Sequence, residues 1–290
     1  MTRVFHLMAC TVYVVLATSL TAPAQTYKTI DFPGAASTTL NGGPDPQGTS
    51  VGTYTDTSGV VHGFTLSKTG VFTSFDPPGS TGTTPNFITP DGVIVGAYLD
   101  AAGANHGFIL ENGAFTTFDV PGAAGTQLTG RNPAGTMTGA SCVVASCATV
   151  THSFTVSRSG VVTSFDPPGA VSSTASTVNP SGAVVGSYAD ANGVTHGYLL
   201  YHHQFATLDF PGSLFSFAGG NNPEGDIVGA YSFTKTATVL HSFLLRSGVF
   251  TSFDPPGATF SDASGINPAG TIVGLFVDAS GAVHGFVRTP

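Results

Sequence analysis

The sequence predicts an all-β fold: a six-bladed β-propeller of four-stranded antiparallel blades, with an open β-solenoid as the alternative. Three observations lead there. An Asp-x-Pro-Gly corner opens at Asp31, Asp76, Asp119, Asp166, Asp209 and Asp254, in steps of 45, 43, 47, 43 and 45 residues. A period in the forties marks stacked or radial repeats. Each period also carries the pattern of four short strands, and beyond the signal-like start no window keeps apolar residues at helical spacings of three and four. Finally, the last period stops at Pro290 after its third strand, while Tyr27 to Gly34 read as a fourth strand with no period before it. Joined, these pieces make one complete blade, and a closed ring leaves no exposed sheet edge. A solenoid would instead call for atypical capping repeats.

Residues 1–24 read as a signal peptide. Arg3 supplies the positive start, Leu7 to Leu20 the apolar run, and Ala22-Pro23-Ala24 a small-x-small cleavage site. The run is shorter than the ~20 residues a span needs, so no membrane segment is expected after cleavage.

Residues 25–290 then form one domain of six repeats. In the last repeat the innermost strand is expected over Asp262 to Ile266, ending at the turn Asn267-Pro268-Ala269-Gly270. The second strand follows over Thr271 to Val277 and the third over Val283 to Val287; Val249 to Phe253 is the fourth strand of the repeat before. Pro-x-Gly, Asp-x-x-Gly and Ser247-Gly248-type turns supply the links. In the second strand of another repeat, Ile94, Gly96 and Tyr98 share one face, and Val95, Ala97 and Leu99 the other.

Composition supports a packed fold. Of 290 residues, 41% are hydrophobic and 10% aromatic, so the 38 Gly and 19 Pro mark turns and not disorder. Net charge is −8, and the 8 Lys and Arg are scattered singly. Without a basic stripe, nucleic acid and anionic membrane surfaces are excluded as expected partners. Cys10 lies within the signal, leaving Cys142 and Cys147 as a candidate disulfide in an oxidising compartment.

A second repeated landmark, His-small-aromatic, stands at His62, His106, His152, His196, His241 and His284. Six imidazoles suggest a metal ring, but third-strand residues lie roughly 10 Å outside the innermost strand, too far apart to share one ion. A structural role is expected instead: each His hydrogen-bonds a repeated partner such as the corner Asp, and each corner Asp accepts backbone N–H bonds that set its turn. No metal and no cofactor are expected.

Ligand contacts are sought where the repeats differ. Arg131 and Asn221 replace the apolar residue found at Ile88, Val178 and Ile266, near the innermost strand. Glu224 is one of two glutamates, and His202 and His203 sit where other repeats have a Gly turn. These five are the candidate binding residues. No catalytic residue is named, because hydrolase elbow, zincin, phosphate-loop and calcium-loop motifs are all missing from the sequence.

The unit resembles the HAF repeat of bacterial extracellular proteins, named for His-Ala-Phe. Here the tripeptide stands as His62-Gly63-Phe64 and its five relatives, with Asn267-Pro-Ala-Gly-Thr-Ile-Val-Gly274 and Asp254-Pro-Pro-Gly257 around it. The middle residue is Gly or Ser in place of Ala. The resemblance implies export and a repeat array, and brings no activity with it. The functional expectation is a monomeric, secreted or envelope-associated binding or scaffold module for an extracellular or periplasmic ligand, without catalysis. The alternative is an extracellular propeller enzyme, lyase or lactonase-like, using Arg131, Asn221 or Glu224 at a channel mouth.

Overall fold

The computed structural model describes residues 25–290; the signal-peptide reading falls on residues 1–24, outside them. Every regular element among the described residues is a strand, and no helix is long and apolar enough to cross a membrane.

Four sheets are independent four-stranded antiparallel blades. One holds β2 (Ser37–Gly42), β3 (Ser50–Thr55), β4 (Val61–Leu66) and β5 (Phe72–Phe75). The next holds β6 (Gly82–Ile88), β7 (Ile94–Leu99), β8 (Asn105–Glu111) and β9 (Ala114–Phe118). A third is built from β10 (Gly125–Arg131), β11 (Met137–Cys142), β12 (Thr151–Val156) and β13 (Val162–Phe165). The fourth unites the two ends of the chain. Here β1 (Thr26–Ile30) pairs antiparallel with β24 (Val283–Thr289), followed by β23 (Ile272–Val277) and β22 (Phe260–Ile266).

The remaining eight strands correct the expectation of six separate blades. They comprise β14 (Ala170–Val178), β15 (Val184–Asp190), β16 (Thr195–Tyr201), β17 (Gln204–Thr207), β18 (Phe215–Asn221), β19 (Ile227–Ser232), β20 (His241–Arg246) and β21 (Val249–Phe253), in one hydrogen-bonded sheet. A single parallel pair, Thr195 with Phe215, joins β14–β17 to β18–β21. β17 ends at Thr207, opposite Tyr198, and Leu208 N–H still donates to the Gly197 carbonyl at 2.8 Å, so the outer strand holds β16 as far as Gly197 and the link to β18 lies two residues before it.

Face alternation also differs from expectation. Both faces of β7 are buried over Ile94 to Ala97, because each sheet is covered by a neighbour on either side. The core is one repeated contact. Phe64, Phe108, Phe154, Tyr198, Phe243 and Phe286, on the third strands, are each at most 1% exposed. Each lies across the ladder from a second-strand glycine, as Phe286 does from Gly274. A Cβ at Gly274 would run into the Asp262 carbonyl and sit 2.8 Å from the Phe286 ring, so only glycine fits there. Burying one such ring contributes roughly 2–3 kcal/mol.

Each innermost strand carries a register shift, as between Leu128 and Gly130 or Ala218 and Gly220. A bulge bends the strand and re-aims its side chains. Asn41, Asn86 and Thr129, at three of these bulges, reach carbonyls of the next innermost strand at 2.9, 2.8 and 2.6 Å. Neighbouring sheets are thus tied together close to the axis.

Candidate functional site

The turns that end the innermost strands converge on a cavity of about 110 Å3 at one mouth of the channel. Its rim is a ring of prolines, Pro46, Pro90, Pro133, Pro180, Pro223 and Pro268. The Asn before three of these prolines builds a relay. Asn132 Nδ2 donates to the Asn179 carbonyl at 3.3 Å, Asn179 to Asn222 at 3.1 Å, and Asn222 to Asn267 at 3.2 Å. The same Asn side chain accepts from its own turn, as Asn132 Oδ1 does from Thr136 N–H at 3.0 Å. The mouth is therefore fixed by buried amides with their partners in place.

Two of the five candidates line this cavity, Arg131 and Asn221. Asn221 is occupied structurally: Oδ1 accepts from Thr177 at 2.9 Å and Nδ2 donates to the Ala183 carbonyl at 3.0 Å. Arg131 is half-buried and, among the described residues, in no salt bridge; the Arg–carboxylate pair there is Arg246 with Asp226. Its charge reaches Asp91, whose carboxyl is held below the usual range first by the Thr89 hydroxyl and to a smaller extent by Arg131. Among the described residues Arg131 is the one cationic side chain lining this mainly apolar cavity, which also holds the Asp45 carboxylate, itself accepting from Thr49 N–H at 2.8 Å.

The other three candidates are corrected. Glu224 is exposed at its turn and does not line the cavity. His202 and His203 form the exposed two-residue turn between β16 and β17, with φ of 50° and 62°. Positive φ at both positions is what a tight hairpin with right-handed twist demands, so these residues mark turn geometry.

The opposite ends of the sheets carry the His and Asp repeats. His62 Nδ1 lies 2.7 Å from Asp76, and His284 Nδ1 lies 2.6 Å from Asp31. The same pairing holds His106 to Asp119, His152 to Asp166, His196 to Asp209 and His241 to Asp254 at 2.7–3.0 Å. In four repeats the Nε2 also faces the Asp of the Asp-x-x-Gly turn, Asp56, Asp100, Asp190 or Asp278, at 3.4–3.8 Å. Corner Asp residues therefore chiefly hold imidazoles, and the backbone-capping role expected of them passes to the other aspartates. Asp56 Oδ1 accepts from Ser58 and Val60 N–H, both at 2.8 Å.

Where the Asp-x-x-Gly turn is missing, other links replace it. Cys142 and Cys147 form a disulfide with Cα atoms 5.0 Å apart. The stapled loop leans on the neighbouring blade, accepting from Asn105 N–H at Ala145 and from the Asn105 amide at Ser146.

These contacts set a pH dependence. The hydrogen bond to the corner Asp raises His62, His106 and His284 above 6.5. A raised His contributes stability that is complete below 6.5 and lost as pH rises through its folded value. Asp56 and Asp278 are lowered to about 2, first by the Ser58 and Ser280 hydroxyls, so their contribution holds above 3.8 and fades towards pH 2. Urea unfolding across pH is expected to show greatest stability between about 4 and 6, falling by pH 8; a profile that rises from pH 6 to pH 8 contradicts these assignments.

Two residues escaped the sequence reading. Asp262, on β22, has a buried Oδ1 with no hydrogen-bond partner among the described residues, and burial pushes the carboxyl up to about 7. Arg288, on β24, is 4% exposed. The signal was present in each case. Asp262 precedes the residue paired with Gly274, where equivalent positions hold Thr39, Thr84, Gln127, Thr174 and Phe217. Arg288 stands four residues after His284, where Leu66, Leu110, Val156, Leu200 and Leu245 follow the other histidines.

No family model matches the chain, and no curated protein matches its sequence. Solved structures do. A structure from Agrobacterium tumefaciens described as TolB superposes with a TM-score of 0.61 at 13% identity, covering 87% of this chain and 90% of that one. A fucose-specific lectin from Aleuria aurantia gives 0.54 at 11% identity, covering 89% and 93%. The β-propeller domain of the Trilobed protease from Pyrococcus furiosus gives 0.50 at 10% identity, covering 87% and 95%. At such identities the likeness shows the fold alone. The protein is an all-β propeller of four-stranded blades.

Proposed function

We propose that the protein is an exported binding or scaffold propeller without chemistry of its own, whose ligand enters the proline-rimmed mouth and meets Arg131. In this reading the ring has six blades, the eight-stranded sheet counting as two, and the HAF-like repeat and signal-like residues 1–24 belong to an extracellular or periplasmic protein. One observation carries the ligand site: a half-buried guanidinium outside any salt bridge faces a mainly apolar cavity whose other walls are fixed by relayed hydrogen bonds. A guanidinium pairs best with a planar oxyanion, which makes a small carboxylic acid with an apolar body the fitting ligand class. An enzymatic reading would need its named residues together, yet Asn221 is spent on its neighbours and Glu224 lies outside the cavity.

The test is a ligand-observed NMR screen of small carboxylic acids against the wild-type protein and Arg131→Ile, which installs the residue of two other repeats. Acids are expected to bind the wild type with Kd below ~1 mM and at least about tenfold more weakly in the variant. Equal binding by both proteins, or turnover of an acid, would overturn the proposal.

A further inference from the structure

We propose that the cleft between the β18–β21 blade and the terminal-strand blade is an oxyanion site built on Arg288 and Arg246. The register places Arg288 opposite Ile272, while Leu66 pairs with Ser50, Leu110 with Ile94, Val156 with Met137, Leu200 with Val184 and Leu245 with Ile227. Five repeats therefore fill this position with an aliphatic side chain, and one fills it with a cation. Blade packing does not require that exchange.

Arg288 is 4% exposed, has no matching charge among the described residues, and opens its terminal nitrogens onto the cleft. Its Cζ lies 4.5 Å from the centre of the Phe253 ring, and its Nε donates to Gln25 Oε1 at 3.3 Å. Among the described residues no carboxylate forms a salt bridge with it, and its terminal nitrogens make no hydrogen bond. A largely covered cation whose free N–H groups face a cleft is a ready partner for an anion.

Arg246 lines the same cleft of about 330 Å3, together with the Thr251 side chain. It is held by Asp226, with Nε and Nη2 at 2.7–3.0 Å from the carboxylate, and its side chain is 52% exposed. Arg288, Arg246 and Asp226 bring two positive charges and one negative to the cleft, and Pro290, which also lines it, makes no salt bridge with either arginine among the described residues. In a chain of net charge −8 with 8 cationic residues, two of them converge here. One planar or tetrahedral oxyanion bridging the two guanidinium groups would satisfy both, with Leu244 and Val249 beside it as apolar walls.

The probes are sodium sulfate, sodium phosphate and sodium acetate, titrated calorimetrically at constant ionic strength set with chloride. The variants are Arg288→Leu, which restores the residue of the other repeats, and Arg246→Gln. At least one anion is expected to bind the wild type saturably with Kd below ~1 mM, and at least about tenfold more weakly to Arg288→Leu. Arg288→Leu is expected to fold with an equal or higher melting temperature, since it repeats a tolerated packing; its loss of binding then reports the site and not the fold. Preference among the three anions distinguishes a carboxylate ligand from a sulfated or phosphorylated one. No saturable binding of any probe, or equal binding by wild type and Arg288→Leu, overturns the proposal. Loss in Arg246→Gln with none in Arg288→Leu also overturns it, because Arg288 would then lie outside the site.

Discussion

A chain that begins at Ser37, without β1 and its Asp31 corner, is expected to lose its cooperative fold. β1 supplies the outer edge of the blade that carries β22 to β24, through five register pairs from Thr26–Thr289 to Ile30–Gly285. It also buries Ile30 to 4% exposure, against Leu40 and Val273 of the two blades that meet there. Asp31 holds His284 across 253 residues of sequence. Burying one Ile contributes roughly 2 kcal/mol, and the lost ladder bonds and ion pair bring the total to about 5 kcal/mol. That is comparable to the whole stability of an ordinary domain. The shortened chain would also expose β24 as a free edge, an invitation to pair with another molecule. Size-exclusion chromatography and urea unfolding check this: aggregates or a broad transition are expected, and a monomer with an unchanged midpoint would contradict it.

Asp262→Asn is expected to stabilise the protein, and more so as pH rises. A carboxyl at 3.8 in the unfolded chain and about 7 in the folded one costs stability progressively between those values. Three units correspond to roughly 4 kcal/mol, and because the residue keeps some solvent contact a gain of about 2–3 kcal/mol is expected at pH 8. Near pH 4 the folded carboxyl is protonated while the unfolded one is only about half ionised, so the gain should shrink to below about 1 kcal/mol. Urea midpoints of wild type and variant at pH 4 and pH 8 measure the difference directly. A variant no more stable than wild type at pH 8 would mean that Asp262 has a charge partner. The cost at Asp262 accrues between pH 3.8 and about 7, which draws the stability maximum to the acid side of the pH 4–6 window, and the loss of the histidine contacts above 6.5 adds to it.

The repeat made the fold legible because each unit spells its own turns. The expected fourth strand, Val249 to Phe253, coincides with β21, and the second, Thr271 to Val277, is within one residue of β23. The His–corner Asp pairing was also readable, since a polar group repeated in register needs a partner repeated in register. What the sequence could not give was radial position. Arg131 and Glu224 both sit at innermost-strand turns, but only Arg131 is turned inward, and that depends on bulges whose register is set by the neighbouring strand. The joining of two blades through Thr195 and Phe215 rests on a single parallel pair, which no residue type announces. Arg288 could have been found by comparing the residue four places after each His. It was hidden because a lone arginine near a chain end reads as solvated, whereas here the next blade covers it.

The claim that function resides at the proline-rimmed mouth is tested most directly by a crystal structure of residues 25–290 grown with the acid that Arg131 selects. The account predicts the ligand carboxylate on the Arg131 guanidinium at about 2.7–2.9 Å, with its apolar body between the prolines of the rim. An acid bound elsewhere on the propeller, with Arg131 turned away to another protein group, would contradict it.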